Sequence, residues 1–588
     1  MNGMRAVAVA LAASTLMGIS PVEEYSAAQL ALLDPSTRMA SLCGGRTSGS
    51  TMRAMLAAAA SAVQADVPDA MPLYDGLGKI DFPITTSVPL AQRYFNQGIG
   101  FAYGFNHAAA IASFRAAQKL DPACAMCWWG EALAHGPNIN APITPDANAL
   151  ALTAIGRAAD LSAKVTPPER ALIMALAKRY SDKPGAVRAE LDSAYADAML
   201  TVARYYPAHD DIALLGAEAA MDTLPWDYWE PDKQAAKPRL GEAIRLVETV
   251  MARNPDHPQG NHLYIHLMEN GPDPKRAEAA ADRLSKPLAG DAGHMVHMPA
   301  HIYFRLGRWK DSIRVNVDAA RQDEAYIKAS DDKGFVRYGY YPHNVHFIVM
   351  SAQMAGDLPT AIGAAKRLAG IVDAETATQI AWIQAIHAAP YFATSQFAPA
   401  ADVLALPEPD PRLAYVRGIR HYVRAVAYAQ QRNQAGFDQE LAKLHAIRSS
   451  DALKPMVDQG VPAPDLLQLA ELVARGRFAS VRGRHGQAAD YYRRAIAIED
   501  RVPYMEPPWW YYPVRQSLGG ALYRAGRFDE AREAFTGALA RAPNNGWALY
   551  GLAASERALG RPAHAAAARM ALGRAWSGDP KWLKMERL

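Results

Sequence analysis

The pattern that best predicts the fold of this chain is in the stretch Gly526–Pro543, GRFDEAREAFTGALARAP. An aromatic residue, Phe528, lies two residues after Gly526. Alanines recur at Ala531 and Ala538, with a second ring, Phe535, between them. Spacings of three, four and seven residues place such side chains on one face of a helix. The small residues let another helix approach closely, and the rings fill the space that remains. The pattern predicts a helix packed between neighbouring helices.

The pattern recurs elsewhere, as in Gly307–Ser312, GRWKDS. The unit resembles the tetratricopeptide repeat (TPR), a helix–turn–helix motif of about 34 residues. The resemblance is strong over residues 90–140 and 470–575 and good over 240–370. It implies an all-α, TPR-like helix–turn–helix solenoid, a right-handed superhelix with irregular insertions. It implies protein partners as one class of ligand and assigns no reaction.

Length and composition agree with a solenoid. The chain has 588 residues, of which 50% are hydrophobic, and a formal net charge of +3. A solenoid can grow to this length because each repeat buries its apolar surface against its neighbours. We expect no nucleic-acid partner, because no block of lysine and arginine is present. We also expect no membrane span after the N-terminal segment, because no later apolar run is long enough.

These features predict five segments. They are an export leader (1–65), a short lead-in segment (66–85), an N-terminal TPR-like array with a histidine-lined groove (86–370), a helical connector (371–470) and a C-terminal TPR array (471–588).

The first segment predicts export to the periplasm or the medium. Arg5 followed by Ala6–Ile19 is typical of a short apolar export signal. A second such run, Met55–Val63, follows two arginines and ends in Val63–Ala65, a small-x-small cleavage motif. The alternative is a helical N-terminal extension that stays in the protein.

A pair of cysteines, Cys124 and Cys127, lies where one repeat passes into the next. We expect buried structural cysteines here. A disulfide, which export would permit, and a metal or redox pair remain as alternatives. The sequence before the pair offers no strand, so it does not favour a thioredoxin-like motif.

Histidines occupy the same positions in three successive repeats. His262 and His297 are 35 residues apart, and so are His266 and His301. We count the repeats from Pro258, Gly293 and Pro342. Position 5 is then His262, His297 and His346, position 9 is His266, His301 and Met350, and position 2 is Gln259, His294 and His343. In TPR proteins, positions 2, 5, 9 and 12 of the first helix face the concave groove.

Residues four apart share a helix face, and packed helices lie about 8–10 Å apart. The seven histidines therefore predict a common metal-binding groove, because imidazole is the commonest transition-metal ligand. Their number allows two ions, or one ion with catalytic imidazoles. Copper is favoured because Met295, Met298 and Met350 are near in sequence, with zinc or iron as alternatives. Glu269, at position 12, is a ligand or a catalytic general base for a metal-bound water.

The predicted function is an exported metal-binding TPR protein, with an oxidative or hydrolytic metal-dependent enzyme as one form of it. An unknown small molecule or peptide would occupy the groove. The alternative is a metal-free scaffold for protein or peptide partners in the cell envelope. Pro299 complicates the geometry, because proline inside a helix breaks or kinks it unless a new helix begins there.

Two further features are weaker. The aromatic insertion Leu224–Pro231 would cover the groove as a lid or pack as a loop. Glu218 would lie beside His266 if an uncertain preceding repeat frame holds.

Overall fold

The computed structural model describes residues 48–62, 67–68, 71–286 and 288–588. Apart from two isolated bridges, Asn138 with Ala141 and Trp229 with Ala236, these residues form helices and connecting segments and no strand. The predicted all-α, TPR-like fold is confirmed.

Consecutive helices pack against each other through most of the chain. In the first part they are α1 (Ser48–Ala62), α2 (Pro89–Tyr103), α3 (His107–Leu120), α4 (Ala125–His135), α5 (Pro145–Leu161), α6 (Pro167–Leu176), α7 (Arg188–Tyr205), α8 (Asp210–Asp222) and α9 (Pro238–Arg253). The histidine repeats contain α10 (Pro258–Glu269), α11 (Glu278–Leu284), α12 (Gly293–His297), α13 (Pro299–Arg305), α14 (Trp309–Ser330), α15 (Tyr341–Ala355) and α16 (Leu358–Ile371).

Shorter helices follow before the last repeats. They are α17 (Ala374–Gln379), α18 (Gln384–His387), α19 (Ala389–Phe397), α20 (Ala400–Leu404), α21 (Ala414–Gln430), α22 (Gln434–Arg448) and α23 (Lys454–Asp458). The C-terminal part contains α24 (Ala463–Val481), α25 (His485–Glu499), α26 (Val514–Arg524), α27 (Phe528–Arg541), α28 (Gly546–Ala558) and α29 (Pro562–Ala575). Between α25 and α26, residues 500–513 form an irregular segment, which we call the proline loop.

Small residues and rings pack as the repeat pattern predicts. The Phe535 ring is fully buried between two helices that each present a glycine to it. A Cβ atom added to Gly519 or Gly551 would lie only 2.7 Å or 2.2 Å from that ring. Phe114 is enclosed in the same way by Gly98 and Gly130. These glycines are therefore what allows the helices to approach the ring.

The C-terminal repeats fold back on the histidine repeats. The Trp547 indole N–H donates to the Gln353 carbonyl at 2.8 Å, and the Trp309 indole N–H donates to the Asn544 carbonyl at 3.1 Å. Gly307, in the left-handed region at φ 68°, lies directly against Pro543. These contacts bring the proline loop next to the repeats that carry the histidines.

Helix α1 packs against the body of the protein. Met55 and Ala59 are buried, and the Trp382 indole N–H donates to the Met55 carbonyl at 2.9 Å. This packing agrees with the alternative interpretation of the first segment, a helical N-terminal extension that stays in the protein. Residues 1–47 and the proposed cleavage motif around Ala65 lie outside the described residues, so export stays a prediction. No helix in the described part of the chain is long and apolar enough to cross a membrane.

Cys124 and Cys127 are fully buried, as expected. The structure joins them in a disulfide across the first turn of α4, which was one of the two alternatives.

Candidate metal centre

The histidines come from α10, α12, α13 and α15, which lie side by side. Pro299 splits the second histidine helix, because α12 ends at His297 and α13 begins with the proline at its first position. The expected break is therefore present. His294 and His297 lie on a short helix of their own, from which the two rings join different groups.

The first group, which we call group 1, consists of His262, His266 and His294. One ring nitrogen from each lies within 4.8 Å of the others. The His262 ring centroid is 4.8 Å from that of His266 and 5.1 Å from that of His294. All three residues are buried. The three rings are therefore in contact with one another in the interior of the protein.

The second group, group 2, consists of His297, His301 and His343. Their candidate ligand atoms also lie within 4.8 Å of one another. The Nε2 atoms of His297 and His301 are 2.9 Å apart, and the His343 ring centroid is 4.8 Å from that of His297. His343 is half-buried, whereas the other two are buried.

The two groups follow one rule in the repeat. Each takes positions 5 and 9 from one repeat and position 2 from the next. The groups are adjacent, because His266 and His301 ring centroids are 6.3 Å apart and those of His294 and His297 are 6.1 Å apart. Six of the seven predicted histidines are thus brought together in two sets of three.

His346 is the exception. The shared position 5 predicted that it would join the other histidines, but in the described part of the chain it belongs to neither group. Position 2 of its repeat, His343, reaches group 2 instead. His346 lies three residues further along α15 and borders a separate small cavity with His343 and Met350. Met295 and Met298 are buried core residues.

Hydrogen bonds behind the group 1 rings fix their orientation. His262 Nδ1 is 3.0 Å from Gln259 Oε1, and His266 Nδ1 is 2.7 Å from Glu269 Oε1. The opposite nitrogen of His266, Nε2, is buried and has no hydrogen-bond partner among the described residues, whereas the Tyr103 backbone lies within hydrogen-bonding reach of His262. Neither ring nitrogen of His294 has such a partner. Group 1 therefore places lone-pair donors in a buried space without protein partners.

Group 2 is oriented in a similar way. His297 Nδ1 is 2.6 Å from Asn316 Oδ1. His301 Nδ1 lies 2.7 Å from Glu269 Oε2 and 2.8 Å from Glu506 Oε2. In both rings, Nδ1 faces a fixed oxygen and Nε2 faces the other histidines.

Glu269 bridges the two groups. One carboxylate oxygen contacts His266 and the other contacts His301, and the side chain is fully buried. The expected role was that of a ligand or a general base. The structure places the carboxylate against Nδ1 of both rings. With His301 and Glu506 it also forms a third set of candidate ligand atoms within 4.8 Å of one another, and its role as a ligand or general base stays a prediction.

Glu506 is a site residue that the sequence analysis missed. It belongs to the proline loop, which the pattern marks only as an interruption of the repeat. Tyr504 donates a hydrogen bond to its Oε1, and Arg305 Nε lies 3.9 Å from the same oxygen. The one available signal was a carboxylate flanked by aromatic residues and prolines in the sequence YMEPPWW.

Burial sets the charge of most of these rings. Burial lowers the pKa of the imidazole well below its ordinary value at His262, His294, His297 and His343. His301 differs, because burial would lower its pKa, but Glu269 and Glu506 raise that pKa to about 10. In turn His301 and His266 hold the pKa of Glu269 well below its usual range, against the effect of burial.

Aromatic residues cover group 1. The Phe105 ring lies 4.7 Å from His262 and 5.5 Å from His294, and Trp226 lies 5.2 Å from His266. Both Phe105 (φ 54°) and Trp226 (φ 64°) have left-handed backbone, which bulky residues rarely adopt and which costs about 1–3 kcal/mol each. Such strain is typical of functional sites.

A π-helix precedes the third histidine helix. Val336–Tyr340 forms this segment, and Tyr340 stacks on the His294 ring at 4.4 Å. Single π turns are frequent at functional sites because they shift the register of the side chains that follow. Trp226, from the aromatic insertion Leu224–Pro231, also contacts group 1, and its indole N–H donates to the Ile139 carbonyl at 2.9 Å. The insertion therefore packs as a loop against the site, and its role as a lid stays a prediction.

Glu218 lies behind group 1 rather than beside His266. It accepts a hydrogen bond from Gln259 Nε2 at 3.0 Å, and Gln259 in turn contacts His262. The Glu218 carboxylate therefore contacts the N-terminal end of α10, the first of the helices that carry the histidines.

Comparisons with known proteins identify the repeat. A family model described as tetratricopeptide repeat matches residues 513–555. No curated protein matches the chain significantly. A structure of the human IFIT1 dimer with m7Gppp-AAAA is 13% identical, covers 73% of this chain and 86% of its own, and has a TM-score of 0.28. The P58(IPK) TPR domain is 12% identical, with 80% and 98% covered and a TM-score of 0.21.

Naa15/Naa10 bound to HypK-THB is 12% identical, with 84% and 90% covered and a TM-score of 0.23. Likenesses of this degree carry no argument about what the chain binds. Residues 513–555 are a tetratricopeptide repeat within an all-α, TPR-like fold.

Proposed function

We propose that this protein binds two transition-metal ions side by side, one on group 1 and one on group 2. The observation that carries the proposal is that the three buried rings of group 1 bring a nitrogen each within 4.8 Å of one another, while His266 Nε2 and both ring nitrogens of His294 have no hydrogen-bond partner among the described residues. Leaving a buried polar atom unpaired costs about 1–3 kcal/mol. A metal ion coordinated by the three lone pairs removes that cost.

The geometry of group 2 supports a second ion. Two imidazole Nε2 atoms 2.9 Å apart repel each other unless something positive lies between them. In the absence of metal that charge is a proton, which the raised pKa of His301 permits. An ion would replace this proton and take His343 as its third ligand, since metal binding to histidine releases protons.

The residues behind the rings support the same conclusion. Metal-binding histidines usually donate their other ring N–H to a carboxylate, an amide or a carbonyl, which orients the ring and makes it a better ligand. Here Glu269, Glu506, Gln259 and Asn316 occupy those places. Four of the six rings, those of His262, His266, His297 and His301, have such a partner, whereas His294 has none among the described residues.

An ion held by three histidines keeps a further coordination position for water or substrate. Two such ions can act together on one small molecule bound between them. In this proposal the pair is the reactive centre of a metal-dependent enzyme, oxidative with copper and hydrolytic with zinc or iron. We favour copper, because imidazole suits it and it binds nitrogen ligands most tightly among the divalent ions of the first transition row.

The positions of the histidines disfavour an extended peptide as their ligand. Group 1 lies beneath Phe105, Trp226 and Tyr340, and the proline loop contacts group 2 through Glu506. A peptide strand needs an open groove, whereas a small molecule or an ion needs only a narrow path. The protein-interaction alternative is better supported at residues 513–555, where the tetratricopeptide repeat is recognised.

Export remains part of the proposal. It is supported by the signal-like run Ala6–Ile19 and by the disulfide between Cys124 and Cys127, which is stable in an oxidising compartment.

The test is metal analysis of protein purified without a polyhistidine tag. The chain is loaded with copper or zinc, freed of loosely bound ions, and its metal content is measured by mass spectrometry. We expect two ions per chain, one after His294→Leu and one after His343→Leu. The control is His421→Leu, because His421 is also buried and pairs with Glu440 at 2.6 Å, away from the groups.

Retention of two ions in both site variants would refute the proposal, as would a wild-type chain that binds none. Equal loss in the His421→Leu control would show that the effect is general unfolding.

A further inference from the structure

A small cavity lies next to group 2, with which it shares His343. Its volume is about 20 Å³, and its lining includes His343, His346, Met350 and Met505. A space of this size holds one water molecule or one ion. Three of these residues come from α15, and Met505 comes from the proline loop, directly before Glu506.

The cavity continues the repeat rule that builds the two groups. Each group takes a histidine at position 5 and another at position 9 of one repeat. In the third repeat these positions are His346 and Met350, and both line the cavity. The third repeat therefore also has a possible metal ligand at each of these positions, with a thioether at position 9 in place of the second imidazole.

The lining is electrically neutral. The other residues around the cavity are apolar or aromatic, such as Trp382, Phe392 and Trp509, and the described lining contains no aspartate, glutamate, lysine or arginine. His346 is buried against this lining. A divalent ion here would leave two positive charges uncompensated in an apolar space, which is costly.

Neutral thioether and imidazole donors suit one ion in particular. Thioethers are soft ligands that select Cu(I) over zinc, iron and Cu(II). Cu(I) carries a single charge, so its burial among neutral ligands costs less than that of a divalent ion. One imidazole and two thioethers supply the three donors that a three-coordinate Cu(I) ion takes.

We propose that His346, Met350 and Met505 form a third metal site, selective for Cu(I), through which copper reaches group 2. This inference rests on the proposed metal pair. His343 lines the cavity and also belongs to group 2, so an ion at the third site has a ligand of group 2 beside it. His343 and Met505 are half-buried, and Pro508, which also lines the cavity, is exposed. The site therefore lies between the surface and the buried pair.

The experiment counts Cu(I) and Zn(II) in the full chain. Protein is titrated anaerobically with Cu(I) against a chromogenic Cu(I) chelator, and separately with Zn(II). We expect three equivalents of Cu(I) and two of Zn(II). The double variant Met350→Leu/Met505→Leu keeps side-chain volume nearly constant, and we expect it to bind two of each. Copper X-ray absorption should show sulfur ligands in the wild type and none in this variant.

The matched control is Met354→Leu. Met354 is buried on the same helix but is not among the residues that line this cavity, so this variant should keep three Cu(I). If the double variant fails to fold, as judged by circular dichroism, His346→Leu is measured in the same way and should lose the same equivalent.

Two results would overturn the inference. One is a wild-type chain that takes no more Cu(I) than Zn(II), and the other is a third Cu(I) that persists without Met350, Met505 and His346. If groups 1 and 2 bind no metal, the titrations give a result that differs from both of these. The chain would then bind no zinc and a single Cu(I), which would be lost in the double variant.

Discussion

His301 Nδ1 lies 2.8 Å from a carboxylate oxygen of Glu506, although 205 residues separate the two in sequence. This contact joins the second histidine repeat to the proline loop that precedes the C-terminal repeats. Tyr504 and Arg305 hold the carboxylate from the other side. The C-terminal half therefore contributes a residue to the candidate metal centre, which would be incomplete without it.

The Glu506→Gln variant tests this contribution. The amide keeps the shape of the side chain but removes the negative charge that makes His301 a stronger ligand. We expect metal affinity at group 2 to fall by about 10- to 100-fold, with group 1 unchanged. Competition titration with a chelator measures both affinities.

Glu440→Gln is the matched control for this variant. Glu440 is a buried carboxylate that contacts His421 at 2.6 Å, away from the candidate site. An equal change in both variants, or none in Glu506→Gln, would remove Glu506 from the site.

Glu269→Gln should weaken both ions. Its two oxygens contact His266 in group 1 and His301 in group 2, so one substitution affects a ring in each. We expect both affinities to fall by about 10- to 100-fold. If Glu269 is instead a general base, the same titration will show unchanged affinities, and only turnover will be lost.

His294→Leu separates metal binding from stability. Neither ring nitrogen of His294 has a hydrogen-bond partner among the described residues, so the metal-free protein loses no hydrogen bond with the ring. An apolar side chain of similar volume removes a buried polar group, and we expect the metal-free variant to be more stable by about 1 kcal/mol. Chemical denaturation in the presence of a chelator measures this difference. A loss of several kcal/mol would mean that the histidine is a structural residue.

Removal of metal should destabilise the wild-type chain. An ion that binds only the folded state stabilises it by about 2.7 kcal/mol when its concentration is 100 times the dissociation constant. We expect the thermal midpoint to fall on chelation and to recover when copper or zinc is restored. The variant His294→Leu/His343→Leu, which lacks a ligand in each group, should show no such response. A response of the same size in that variant would place the stabilising ion elsewhere.

The repeat pattern predicted the fold and most of the site because both depend on local spacing. Histidines four residues apart share a helix face, and a 35-residue step repeats that face on the next helix. Glycines and alanines at fixed positions predicted the close packing that now surrounds Phe535.

The rest depends on contacts that spacing does not encode. The division into two groups follows from the stagger of the repeats, in which position 2 of one repeat joins positions 5 and 9 of the repeat before it, so that His294 joins one group and His297 the other. His346 lies outside group 2 because position 2 of the third repeat, His343, is the residue of that repeat that reaches the group. Glu506 could not be predicted, because only the return of the C-terminal repeats brings the proline loop to His301.

Anomalous diffraction from crystals of metal-loaded, untagged protein tests the central claim most directly. Data collected on either side of the copper or zinc absorption edge locate each bound ion. We expect one strong peak among His262, His266 and His294 and a second among His297, His301 and His343. Metal-loaded crystals with no peak at either group, or with peaks only at surface residues, would contradict it.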